Sequence, residues 1–545
     1  MNNTSAISGG PAPLQAIPST PATARTTSDV TATLKGARFN ASYQNTAGTP
    51  SPAAGAFTAP PRTRHAHNDG HTHHHNYAQQ GSRPVDLLPI MDAINLRHTI
   101  LAPIPTNQVA ICCGEEYHPA KGLASTAPNY YLPEDIKKEK VLTSEQEREI
   151  VRATGPLVYN TEADSRTAQM YNALTDVQKE RFDPAITGLV LGNHRVSEDL
   201  LRKLALYPGV FSLVGEVTLE KEVVKAKLDP RAQPDLDTHF MPMVDLIKTC
   251  GEIGMPFLLH CDIDVLPDQR EPDSAPRYLE GIRRLVGHPD CRNTTIIWAH
   301  LGGVGKYSHA RPNHLDYVSA VLDEFPHVYL DTSWDVVAQQ FLQKDYVNKD
   351  QTVDEAKVTR MKAFVEKYSE RLIFGSDTLA PQRASDWSST IDTFKPLLDV
   401  LAPDAKHNLL LKNYEDVIMG ARPKVRAYEK HCLPYAYIGI EMRQDRAEED
   451  VKFVRSQVQM GIAYGRALME AELSGSSPPT RPPALRSIED IEKRAYGIVD
   501  DSKQKASETT QPGMSTAPTV QQGNSSVTLD ADANNYAWKG APAKL

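Results

Sequence analysis

The 545-residue sequence has no run approaching the roughly 18 consecutive apolar residues of a membrane helix, so no span is expected. Its first thirty residues lack the apolar core of a secretory signal. Six cysteines are too few for a disulfide scaffold, and adjacent Cys112 and Cys113 are too close for an ordinary bridge. A reducing compartment is expected. Nor is there surplus positive charge. Against 68 acidic side chains stand 59 basic ones, a net charge of −9, which gives no electrostatic case for nucleic acid or an anionic membrane. What is present is a globular composition, 40% hydrophobic and 23% charged. The length suffices for one large α/β domain or several smaller ones.

The two ends are unlike the middle. Residues 1–60 are rich in Ala, Ser, Thr and Pro, with Asp29 their only acid. This leader reads as a disordered tail on a cytoplasmic protein. It also resembles the unfolded leaders of proteins exported by the type III route without a cleavable signal. From about residue 474 the chain again turns to Pro, Ser, Gln and Thr, with a short helical patch near 487–496.

Between residues 85 and 420 short apolar runs alternate with helical patterns. The clearest runs are ITGLVLG (186–192), VFSLVGEV (210–217), MPFLLHC (255–261), TTIIWAH (294–300), HVYLDTS (327–333) and RLIFGSD (371–377). With earlier candidates at 68–73 and 98–104 they make eight strands. Continuous β-branched runs separated by helices indicate a parallel sheet covered on both faces. The fold class expected is α/β, a (β/α)8 TIM barrel, with an open doubly wound sheet as fallback. The organisation expected is a disordered leader over 1–64 and a barrel over 65–420 with a helical insertion at about 105–184. A helical extension over 421–473 and a mostly disordered tail over 474–545 follow. The extension packs on the barrel or on another copy of the chain, so a homo-oligomer stays open.

Five of these runs end in residues that bind metal or move protons: His71 and His73, Glu216, His260, His300 and Asp377. In a parallel barrel all C-terminal strand ends open onto one face, where residues remote in sequence converge. Imidazoles mixed with carboxylates suit a borderline divalent metal, Zn²⁺ first, with open positions for water.

Taken together, NDGHTH (68–73), LLHCD, WAHLGG and FGSD resemble the amidohydrolase superfamily, nearest its branch of metal-dependent hydrolases and decarboxylases. The resemblance covers roughly residues 65–420. It implies metal ligation by His71 and His73, the pair that follows an aspartate, Asp69, in preference to His65/His67 or His73/His75. It implies His260 and Asp377 as further ligands, and Glu216 as a bridge between two ions or as lining around one. Some relatives use a carboxylated lysine there, but Lys221 and Lys225 lie too far along. LLLKNYEDVIMG (409–420) resembles the family's closing helix.

The activity implied is cleavage of an amide, lactone or ester-like bond of a small molecule by metal-bound hydroxide. Asp377 would move the proton, and His300 would polarise or orient the substrate oxygen or ligate a second metal. Trp334, Arg311 and His194 are candidate substrate contacts, and Gly302 and Gly303 would leave room for a ligand. The insertion would form a lid or a pocket wall. Two alternatives are a metal-dependent non-oxidative decarboxylase, using Arg311 for the carboxylate, and a secreted host-directed effector whose barrel mainly binds.

Overall fold

The computed structural model describes residues 65–75, 81–104 and 162–498, apart from 192, 223–234, 272 and 306–307. The leader, most of the insertion with its expected lid, Lys225, and the chain beyond 498 lie outside the described residues.

Eight short strands carry the fold: β1 His67–Asp69, β2 Leu96–Leu101, β3 Phe182–Ile186, β4 Leu213–Thr218, β5 Phe257–His260, β6 Ile296–Trp298, β7 Val328–Asp331 and β8 Leu372–Ile373. Each pairs in parallel with the next in sequence order. Between β8 and β1, Gly70 N–H donates to Phe374 O at 2.8 Å. Just beyond, Thr72–His73 runs parallel to Thr378–Leu379. Helices separate the strands, among them Val196–Leu206, Phe240–Ile253, Leu279–Val286 and His314–Glu324. The α/β barrel is therefore what this sequence forms.

Period-two geometry explains why the strands read as continuous apolar runs. Phe257, Leu259, Ile296 and Trp298 pack outward among the helices. Leu258, Ile297, Leu213, Ile100 and Ile373 fill the barrel interior with Tyr414 and Ile418 from the segment after β8. Both faces are buried, so neither parity can be polar.

The third strand departs from expectation. It occupies Phe182–Ile186, not 186–192, and residues 187–190 follow it without regular structure. Its sequence FDPAI holds a proline and a fully buried aspartate, both signals against a strand. The structure accommodates them. Pro184 needs only its carbonyl, which accepts from Ser212 N–H at 3.0 Å. Asp183 accepts from Tyr414 Oη at 2.8 Å and from Arg422 Nε at 2.6 Å. That buried polar knot ties the strand to the C-terminal helices.

After β8 the chain forms wide turns over Asn408–Lys412 and Glu415–Met419, and Asn413 Nδ2 donates to Ser369 O and Leu372 O, both at 2.7 Å. Helices Ala421–His431, Leu433–Glu441 and Glu448–Ser474 come next. Helix Ile488–Tyr496 buries Ile491 and Ala495 against Tyr435, Ile438 and Val454. No helix among the described residues is long and apolar enough to cross a membrane.

Candidate metal centre

All six strand-end residues meet at the C-terminal mouth of the barrel. His71 Nε2 lies 3.9 Å from Glu216 Oε1 and 3.7 Å from Asp377 Oδ1. His73 Nε2 lies 3.4 Å from Glu216 Oε2 and 3.2 Å from Asp377 Oδ1. His300 Nε2 lies 2.9 Å from His260 Nδ1 and 3.5 Å from Glu216 Oε1. The other histidine registers go elsewhere. His67 contacts Phe374 edge-on, and His74 Nε2 meets Thr167 Oγ1 at 3.1 Å.

Local backbone devices aim these side chains. On β4, Val214 pairs with Phe257 and Val217 with Leu259, so three residues advance against two. This bulge inserts one residue and turns Glu216 inward, where strict alternation from outward-facing Val214 would point it out. Gly215 makes it feasible, since a Cβ there would stand 2.1 Å from Leu258 O. Beyond β6, His300, Leu301, Gly302 and Gly303 all have positive φ and form a left-handed turn that re-aims His300. The space beside these glycines belongs to the protein: a Cβ would meet Cys261 O at 2.1 Å from Gly303 and Val318 Cγ2 at 2.7 Å from Gly302. They permit close packing and leave no room for a ligand there.

The hydrogen bonds behind the histidines fix their tautomers. His71 Nδ1 donates to Asp331 Oδ2 at 2.8 Å, and His73 Nδ1 to Ala102 O at 3.3 Å. Ser333 Oγ donates to Asp331 and accepts from His300 Nδ1 at 2.7 Å. In all three rings Nδ1 is occupied, which turns the Nε2 lone pair toward the centre. His260 differs, for its Nδ1 faces Glu216 at 2.5 Å and its Nε2 faces Asp262 at 3.1 Å. Asp69 stitches the first and last strand ends together. It accepts from His71 N–H at 3.0 Å, Ser376 N–H at 2.9 Å and Trp387 Nε1 at 2.6 Å.

The electrostatics favour a cation. Burial works against charge on His71, yet Asp331, with Asp377 and Glu216, lifts its pKa to about 9. Burial likewise opposes charge on His73, and Asp377 and Glu216 outweigh it. Burial would raise the Glu216 carboxyl, but Lys221 and His260 hold it well below the usual range. Asp377 is held low by His73 and His71 against the same opposition. His300 goes the other way, pushed down by burial and by His260 and His71.

His71 Nε2 is fully buried and has no hydrogen-bond partner. It belongs to two triads with metal-ligand spacing, His71–His73–Asp377 and His71–Glu216–His300. A buried imidazole nitrogen that faces carboxylates and is held basic by them fits a divalent cation, which would take the place of its proton.

The substrate candidates divide. Trp334 belongs to the mouth, its ring 5.3 Å from that of His300. Arg311 is engaged elsewhere, donating from Nε to buried Asp264 at 2.6 Å and from Nη1 to Ser274 O at 2.6 Å. His194 is exposed on the turn after β3 and joins no contact of the centre. Two functional contributors escaped the sequence reading. Asp331 ends β7 as His260 ends β5, a signal that was available in HVYLDTS. Lys221, expected to lie too far along, reaches within 3.7 Å of Glu216 Oε1.

Residues 150–416 match the sequence family described as Amidohydrolase. That span begins after His71 and His73, which the fold returns to it. Among curated proteins no sequence matches the chain. Similar solved structures include a probable 2-pyrone-4,6-dicarboxylic acid hydrolase from Acinetobacter baumannii with citric acid bound, at 12% identity and TM-score 0.35, covering 65% of this chain and 100% of that one. Another is an amidohydrolase from Burkholderia multivorans with bound zinc, at 12% identity and TM-score 0.34, covering 65% and 99%. A third is a mutant PTE-like lactonase from Deinococcus radiodurans, at 10% identity and TM-score 0.32, covering 65% and 95%.

Proposed function

Because this chain belongs to the amidohydrolase family, we propose that it hydrolyses an amide, lactone or ester-like bond of a small molecule at the centre described above. It is an enzyme of the metal-dependent hydrolase type. The observation that carries the finer reading is the unpartnered, buried His71 Nε2 facing Glu216 and Asp377. His71, His73 and Asp377 would hold the ion, with Zn²⁺ the first candidate and Glu216 and His260 on the facing wall. A divalent ion bound there supplies Lewis-acid activation of water near neutral pH.

The chain's own residues divide the remaining work. The Asp377 side chain is 16% exposed, against 4% or less for His71, His73, Glu216, His260 and His300. It is the most exposed of the six, so it accepts the proton of the attacking water and returns it to the leaving group. His300 presents Nε2 to the substrate oxygen, steadied behind by Ser333 and Asp331. Trp334 forms an apolar wall beside it.

The decarboxylase reading required a pocket arginine for the substrate carboxylate, and Arg311 is committed to Asp264 and Ser274. The hydrolase reading is tested by stripping metal with a chelator and assaying lactones, esters and amides before and after Zn²⁺ is restored. Hydrolysis that appears only with the ion is expected. Equal rates in the two states, or CO₂ release without hydrolysis, would sink it.

A further inference from the structure

The two triads share His71. With Nδ1 of His71 donating to Asp331, only Nε2 is left to face an ion. One imidazole lone pair ligates one ion. His71 therefore serves one ion, and a second would have to be held by Glu216 and His300 with His260 beside them. The Lys221 ammonium lies 3.7 Å from Glu216 Oε1, with its side chain 9% exposed.

The position of that ammonium is built into the backbone. Leu219 N–H donates to His260 O at 2.9 Å, and Asp262 N–H to Glu220 O at 2.6 Å. Glu222 N–H then donates to Asp262 Oδ2 at 2.9 Å. The chain leaving β4 is thus laced to the chain leaving β5 on both sides of Lys221. Five residues beyond Glu216 in sequence, it is returned to the same carboxylate.

We propose that Lys221 is the resident cation of this centre, standing at Glu216 where a second metal ion would otherwise bind and restricting the site to one divalent ion at His71, His73 and Asp377. The inference rests on the metal-dependent reading above. Glu216 is then a charge-balancing wall between Lys221 and His260. A second ion at Glu216 would face a fixed like charge, and charges within about 4–6 Å shift binding equilibria by roughly 10- to 1000-fold.

The test is a Zn²⁺ titration of the full chain after metal stripping, with bound zinc counted by mass spectrometry. Wild type is expected to take one tight equivalent. Lys221→Gln should take a second at least about tenfold more tightly than wild type does, while Lys221→Arg stays at one. An unchanged first equivalent in Lys221→Gln reports a folded centre, and Lys221→Met replaces it if that variant does not fold. Two tight equivalents in wild type, or a charge-removing variant that stays at one, would overturn the role of Lys221 and leave the metal-dependent reading standing. No bound zinc in wild type would overturn both.

Discussion

Nδ1 of His71 lies 2.8 Å from Oδ2 of Asp331, and neither side chain reaches solvent. The same carboxylate accepts from His300 N–H at 2.8 Å and from Ser333 N–H at 3.0 Å. One residue on β7 therefore orders the functional histidines that follow β1 and β6. Replacing it with Ala would free the His71 tautomer and strand the buried His300 N–H. Asp331→Ala is expected to weaken Zn²⁺ binding by about 10- to 100-fold and stability by about 1–3 kcal/mol. Competition against a chromophoric chelator measures the first and urea unfolding the second. Wild-type zinc affinity in this variant would mean that Asp331 does not position His71.

Asp377 combines a place in the ring with an opening to the mouth, so its two duties separate on substitution. Asparagine keeps an oxygen for the ion and loses the capacity to take a proton. Asp377→Asn is expected to lower kcat by about 10²- to 10⁴-fold while metal content stays near wild type. Parallel measurement of turnover and bound metal decides. Turnover like that of wild type would remove Asp377 from the proton's path.

The order of strand ends was legible because each barrel unit repeats a hydrophobic run closed by a reactive residue, as in LLHCD and FGSD. Where the backbone departs from strict repetition, the reading failed for physical reasons. Pro184 and Asp183 disguised β3, since the partners that satisfy Asp183, Tyr414 and Arg422, lie more than two hundred residues away. The direction of Glu216 depends on a bulge, which is a property of two paired strands. Lys221 reaches the site only because Asp262 laces its loop, a contact set by topology. Asp331 was within reach of the rule that found its neighbours, and its role emerged only when the barrel brought β7 beside His71.

The bulge makes Gly215 a sensitive position. Its φ of +117° lies where side chains are rarely found, and an added methyl would collide with Leu258 O at 2.1 Å. Gly215→Ala is expected to lose more than about 2 kcal/mol of stability. The displaced Glu216 should also weaken its contact with His260. Denaturant unfolding gives the first quantity, and the His260 ring resonances in NMR report the second. A variant within about 0.5 kcal/mol of wild type would show that the bulge is not needed at this point.

Acid sensitivity should be traceable to a histidine outside the metal ring. His314 is buried, and its Nε2–H donates to Leu301 O at 2.8 Å, inside the left-handed turn that carries His300. Burial, helped by Arg270 and Arg360, pushes its pKa down from 6.5 to about 4 against the Leu301 carbonyl and Asp264. The unfolded chain therefore takes up a proton near pH 6.5 that the folded chain refuses until about pH 4. Because the unfolded state binds more protons across that window, stability falls as pH falls through it. The His314 contribution amounts to about 2 kcal/mol between pH 7 and pH 5. His314→Gln retains an N–H donor and does not titrate, so its unfolding free energy should decline less steeply by that amount. Urea melts of both proteins at the two pH values isolate the difference from every other group they share. Parallel declines would mean that His314 is not the buried neutral histidine described here.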